Sequence, residues 1–111
     1  MKGYIYFIIN QENGKRYVGQ TIRYSDRKSD HKRKLNNHTH VNAKLQNAWD
    51  KYGENAFIWE KITYDNISAE ELDEYEIYYI KKYNSVEDGY NIETGGSHGR
   101  GKDARSKLTF D

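Results

Sequence analysis

Two apolar runs of strand length flank the Asn13-Gly14 pair within the stretch Gly3 to Gly19, GYIYFIINQENGKRYVG. That pattern predicts a β-hairpin, because a two-residue type I′ turn needs positive φ at both central positions and Asn-Gly supplies it. With Asn13 and Gly14 as the loop, Glu12 pairs with Lys15, Asn10 faces Tyr17, Ile8 faces Gly19 and Tyr6 faces Thr21. Strand alternation then puts Tyr6, Ile8, Asn10, Tyr17 and Gly19 on one face. Gly19 adds no side chain there, so a gap is expected beside the two phenols, open to a ligand.

Thr21 to Asn36 has helical spacing, with Tyr24, Arg27, His31 and Leu35 on one face. An arginine and a histidine thus occupy the stripe that should pack inward, while Lys28, Lys32, Arg33 and Lys34 cover the rest. Residues 36–40 read as a connector. Val41, Leu45, Ala48, Trp49 and Tyr52 mark a second helix that Gly53 ends, with His40 at its start as a cap, a phosphate contact or an exposed ring. Phe57 to Tyr64, FIWEKITY, has the aromatic and β-branched content of a third strand beside the hairpin.

Ser68-Ala69-Glu70-Glu71 reads as a capping box opening a third helix that runs to about Tyr83. At about 100° per residue, Leu72, Tyr75, Tyr79, Ile80 and Tyr83 form an apolar arc that includes Glu76 and leaves Asp73 and Glu74 outside. A carboxylate on an inward face needs a partner, which could be Arg27, a tyrosine hydroxyl or a metal ion. Asn84 to Asn91 is a turn around Asp88-Gly89 with a short apolar return at Tyr90 to Ile92, in which Asn91 has a structural reading. Residues 93–111 are Gly-rich, charged and poor in apolar positions, so the expected division is a folded domain over 1–92 and a linker or tail over 93–111.

Composition sharpens this α+β outline. Eleven tyrosines against three phenylalanines give a core whose hydroxyls need partners, so it borders a polar site. The absence of cysteine excludes disulfides and thiolate metal centres, and with no long apolar segment and no secretory h-region the chain reads as soluble and intracellular. The net charge of +1 conceals an asymmetry: residues 15–44 carry nine Lys/Arg against two Asp, net +7, and residues 54–88 carry ten acids against three lysines, net −7. A basic half of this kind is the footprint of a phosphate-backbone binder or of two helix faces attracting each other.

Tyr4-Ile5-Tyr6 and Tyr17-Val18-Gly19, followed in order by Arg27, His31, Glu76 and Gly89-Tyr90-Asn91, resemble the signature of the GIY-YIG nucleases, particularly the catalytic domains of phage and intron homing endonucleases. The first tripeptide departs from Gly at Tyr4, a side chain expected to point away from Tyr6. The resemblance implies a three-stranded antiparallel sheet flanked by three helices and metal-dependent phosphodiester hydrolysis in DNA. It also implies site roles: Glu76 holding one Mg²⁺ or Mn²⁺, Arg27 on a phosphate oxygen, and Tyr6 as general base with His31 as its partner. Tyr17 would orient phosphate or water, with the two tyrosine roles exchangeable. Asn91 would brace the site and His40, Lys28, Lys32, Arg33 and Lys34 would contact DNA. By the same resemblance the chain is a catalytic head, monomeric or transiently dimeric on DNA, from a bacterial or phage-encoded cytoplasmic setting, with its Gly-rich end leading to a separate DNA-reading domain. A non-catalytic nucleic-acid-binding module using the basic face and exposed tyrosines is the alternative.

Overall fold

Gly3–Asn10 is apolar on both faces and almost wholly buried, and this eight-residue segment is the middle strand, β1, of the sheet. The structure, a computed structural model, describes residues 1–95. After β1 come β2 (Arg16–Thr21), α1 (Tyr24–Asn36), α2 (Ala43–Tyr52), a single 3-10 turn at Glu54–Ala56, β3 (Phe57–Tyr64) and α3 (Ala69–Lys82). The sheet has the order β2-β1-β3 and is antiparallel throughout. One face buries Ile5, Phe7, Ile9 and Val18 under Leu72 and Ile80 of α3. The other buries Tyr6 and Ile8 under Leu35 of α1 and Leu45, Ala48 and Trp49 of α2. The expected three-strand, three-helix α+β architecture is therefore the one observed.

The hairpin register differs by two residues from the expected one. Tyr4 pairs with Thr21, Tyr6 with Gly19 and Ile8 with Tyr17, leaving residues 11–14 as a longer loop. Asparagine side chains build that loop: Asn10 Oδ1 accepts from the Glu12 amide at 2.9 Å and Asn13 Oδ1 from the Lys15 amide at 2.9 Å. Of the Asn-Gly pair only Gly14 takes a positive φ, 76°. Asn10 and Asn13 both donate to the Tyr90 hydroxyl, which ties the loop down. A two-residue shift preserves side-chain parity, so Tyr6, Ile8 and Tyr17 still share a face.

Two expectations about that face are corrected. Residues two apart on a strand point the same way, so Tyr4 stands on Tyr6's side and not away from it; its ring lies 5.9 Å from Tyr24, itself 6.2 Å from Tyr6. The space beside Gly19 is no ligand gap, because the Tyr6 ring fills it. A Cβ at Gly19 would come within 2.4 Å of Tyr6 Cζ. Gly19→Ala must therefore displace a ring that is 1% exposed and bonded at its hydroxyl. The expected cost is about 1–3 kcal/mol, read by urea unfolding.

α3 opens with the expected capping box, Ser68 Oγ and Glu71 Oε1 each accepting at 3.0 Å from the other's backbone amide. Its buried arc is rotated from the expected one: Leu72, Asp73, Glu74, Glu76 and Ile80 are buried, and Tyr83 is exposed. The tyrosines sit toward the rim, where their hydroxyls stay near water, and two acids expected outside are drawn in. α2 begins at Ala43, not Val41, which is 88% exposed; its cap is Asn42, whose Oδ1 accepts from the Leu45 amide at 3.0 Å.

The outer edge of β2 is closed by residues 85–91. Asn91 Oδ1 accepts from the Val18 amide at 2.8 Å and its Nδ2 donates to the Val18 carbonyl at 2.9 Å, so one side chain takes the place of a neighbouring strand. Glu93 to Gly95 continue along α3, with Gly95 close to Ile80 and Ile77. Residues 96–111 of the expected tail lie outside the described residues.

Candidate active site

At the edge of β2 the two sides of the sheet meet. Tyr17 comes from the α1/α2 face and Glu76 from α3, and both line a cavity of about 330 Å³ shared with Asn42, Asn91, Ile92 and Glu93. Glu76 is 7% exposed. Gln20, on the α3 face of β2, donates through Nε2 to Glu76 Oε1 at 3.0 Å and to Asp73 Oδ1 at 2.5 Å, so one amide sets the orientation of both carboxylates. The sequence reading missed Gln20. Its signal was present: a polar residue at an inward strand position, two after Val18, opposite a helix with acids on its inner face.

Tyr6 lies behind Tyr17, buried, with ring centroids 6.2 Å apart. Its hydroxyl is 2.6 Å from His31 Nε2 and accepts from Arg27 Nε at 3.3 Å. Burial above all, then Tyr17, raises the Tyr6 pKa well above its ordinary value, while Arg27 opposes the rise. Tyr17 is raised too, first by burial and then by the negative charge of Glu76, again with Arg27 opposing. Arg27 therefore bears on both phenols while remaining 45% exposed. Of the expected residues, Tyr6, Tyr17, Arg27 and His31 form one connected cluster, Glu76 joins it across the cavity, and Asn91 lies at the wall, spent on Val18 and Ser85.

His40 is half-buried, and both of its ring nitrogens are taken up within this cluster. Its Nε2 is 2.7 Å from His31 Nδ1, and its Nδ1 accepts from the Asn42 amide at 3.0 Å. The basic residues of α1 are dispersed. Lys32 pairs with Glu54 at 3.1 Å, Asp30 collects Lys34 at 3.1 Å together with Arg33, and Lys28 lies over the Trp59 ring at 5.6 Å.

Burial first, then Arg27 and His40, depresses the His31 pKa to about 3. An unfolded histidine titrates near 6.5, so between the two values the unfolded chain holds the extra proton; stability is complete above about pH 6.5 and falls as pH drops toward 3. From pH 7.5 to 5.5 His31 alone accounts for a loss of about 1.4 kcal/mol. His40 is depressed in the same direction. Urea unfolding at the two pH values should report this loss in the native chain and a smaller one in His31→Gln.

A divalent cation suits this cavity on donor chemistry. Among the described residues no three His, Asp or Glu side chains converge as a preformed metal cage. One oriented carboxylate with hydroxyl and amide neighbours matches a hard ion that keeps most of its waters, such as Mg²⁺ or Mn²⁺. The two imidazoles that would favour a softer metal are bonded to each other.

Comparison with known proteins gives one consistent result. Residues 2–91 match the family model described as the GIY-YIG catalytic domain. The chain is 38% identical over 95 residues to intron-associated endonuclease 1 of Enterobacteria phage T4, covering 83% of this chain and 37% of that protein. It therefore spans little more than a third of that relative's length. A solved structure, the catalytic domain of intron endonuclease I-TevI carrying a glutamate-to-alanine substitution, superposes with a TM-score of 0.75 at 32% identity, covering 86% of this chain and 98% of that one. A second structure of the I-TevI catalytic domain gives a TM-score of 0.75 at 31% identity over 80% of this chain and 96% of that one.

Proposed function

The chain belongs to the GIY-YIG catalytic-domain family, and from that premise we propose that it is a divalent-metal-dependent DNA endonuclease whose reaction centre is the cavity at the edge of β2. The observation that carries this reading is the placement of Glu76: an inward carboxylate, oriented by Gln20, on the wall of a cavity that also holds Tyr17. A module that only bound nucleic acid would gain nothing from an oriented acid where a phosphate must sit.

Glu76 would hold one Mg²⁺ or Mn²⁺, which when bound supplies positive charge to the scissile phosphate and acidifies a coordinated water. The residues do the rest. Arg27 offers a planar cationic fork to a non-bridging oxygen, half exposed and braced by its bond to Tyr6. Tyr17, whose side chain lines the cavity, would take the proton of the attacking water in its phenolate form, which Arg27 favours against burial and which a cation on Glu76 would favour further; Tyr6 is too buried to reach that water and supports Tyr17 from behind. The sequence reading had Tyr6 as base with the two roles exchangeable; the place of Tyr17 on the cavity wall and the burial of Tyr6 support the exchanged assignment, with Tyr17 as base. His31 anchors Tyr6, and Asn91 keeps β2 in register beside the cavity.

DNA is the proposed substrate, with Lys28 and the free face of Arg33 as backbone contacts. The chain is proposed to act as a monomeric catalytic head, pairing transiently where both strands are cut, with sequence reading left to a separate domain of a longer homing-type protein. Supercoiled plasmid incubated with the purified chain tests the activity: open circles should form with Mg²⁺ or Mn²⁺ and not with EDTA. Plasmid retarded on a gel but uncut under every divalent ion would favour the binding module instead.

A further inference from the structure

We infer that His40 is a positioning residue that fixes His31 in the tautomer protonated at Nε2, so that the Tyr6 hydroxyl oxygen accepts at that bond. The inference deepens the proposed nuclease reading and rests on it for its kinetic consequence, although the tautomers themselves do not.

The polarity starts at a backbone amide. The Asn42 N–H can only donate, and it points at His40 Nδ1 at 3.0 Å. His40 must therefore carry its proton on Nε2, which leaves Nε2 as donor to His31 Nδ1 at 2.7 Å. His31 Nδ1 is then an acceptor, its proton is on Nε2, and Nε2 donates to Tyr6 Oη at 2.6 Å. The two imidazole planes differ by 11°, as an N–H···N bond lying in both rings requires.

Tyr6 Oη also accepts from Arg27 Nε at 3.3 Å. With two donors aimed at the oxygen, the phenol's own proton is directed to the remaining side, toward Tyr17, whose ring centroid lies 6.2 Å from that of Tyr6. One amide thus sets the direction of a chain, His40 to His31 to Tyr6, that points toward Tyr17 and the cavity Tyr17 shares with Glu76. In this direction the Tyr6 proton favours the phenolate form of Tyr17, the form a base must start from.

The connector between α1 and α2 is built to present the ring. The Gln46 side chain accepts from the His40 amide at 3.0 Å and donates to the Leu35 carbonyl at 3.0 Å, while Asn42 Nδ2 donates to the Tyr90 carbonyl at 2.7 Å. A phosphate contact would need an imidazole with a nitrogen facing solvent, and His40 spends both nitrogens internally.

The test combines imidazole ¹⁵N NMR at pH 7.5 with single-turnover plasmid nicking in Mg²⁺, on the full chain and on His40→Leu and His40→Gln. Glutamine places an Nε2 donor where the imidazole Nε2 was; leucine does not. The expected spectrum has His31 and His40 both as Nε2–H tautomers, and His31 shifts toward Nδ1–H in His40→Leu but not in His40→Gln. His40→Leu should lower the maximal rate about tenfold to a hundredfold at unchanged half-saturating DNA, with His40→Gln recovering to within about threefold. An Nδ1–H His31 in the native chain would overturn the inference, as would His40→Gln being as slow as His40→Leu. So would a defect confined to DNA affinity with a salt slope reduced by about one, the mark of a lost phosphate contact. A native chain with the expected tautomers but no nicking would instead remove the nuclease reading.

Discussion

Glu76→Gln should abolish metal-dependent cleavage, lowering the single-turnover rate by about a thousandfold or more, near 4 kcal/mol of transition-state stabilisation. The substitution keeps the shape of the side chain and an oxygen that can accept from Gln20, so the fold should persist. What it removes is the negative charge that would hold a cation. Because that same charge lies where a phosphate must approach, DNA affinity should hold or tighten slightly. Rate and affinity moving in opposite directions, measured by plasmid nicking and fluorescence anisotropy, would distinguish a lost metal ligand from a damaged fold.

The second large effect is expected at Arg27. Arg27→Lys keeps the charge but loses the planar fork and the Nε–H that donates to Tyr6 Oη. A loss of about a hundredfold in rate is expected. Arg27 is 45% exposed, so the melting midpoint should move little. Arg27→Lys within a few fold of the native rate would reduce this residue to a general positive charge.

Tyr4 apart, the faces of the strands were legible in the sequence and their register was not. Alternation places Tyr6 with Tyr17 whether the loop holds two residues or four, whereas the loop length depends on Asn10 and Asn13 reaching Tyr90, about eighty positions along the chain. The same distance problem hid the meaning of Gly19. A missing side chain reads as a gap until the ring that fills it is seen from the partner strand.

The site was legible wherever a polar residue broke an apolar pattern. Arg27 and His31 on the inward stripe of α1 meet at the Tyr6 hydroxyl, and Glu76 on that of α3 shares the cavity with Tyr17. The residues that hold them were read less well: Gln20 showed as a polar break on an inward strand face but its partner on α3 did not, and Asn42 and Gln46 act on His40 only within the folded connector. His40 was visible as chemistry but not as geometry: a histidine at a helix start suggests phosphate, and only the fold shows both ring nitrogens taken by His31 and the Asn42 amide. The ion pairs of the basic residues of α1 were hidden for a similar reason, since Asp30 and Glu54 engage several of them.

That Glu76 and Arg27, held by different helices, serve one phosphate is tested most directly by combining their substitutions. Single-turnover nicking of the same supercoiled plasmid in Mg²⁺ should be measured for the native chain, Glu76→Gln, Arg27→Lys and the double variant. Groups that act on one transition state fail together, so the double variant should be no more than about tenfold slower than Glu76→Gln alone. Full multiplication of the two losses, or Mg²⁺-dependent nicking that survives Glu76→Gln at near the native rate, would contradict a single reaction centre at the edge of β2.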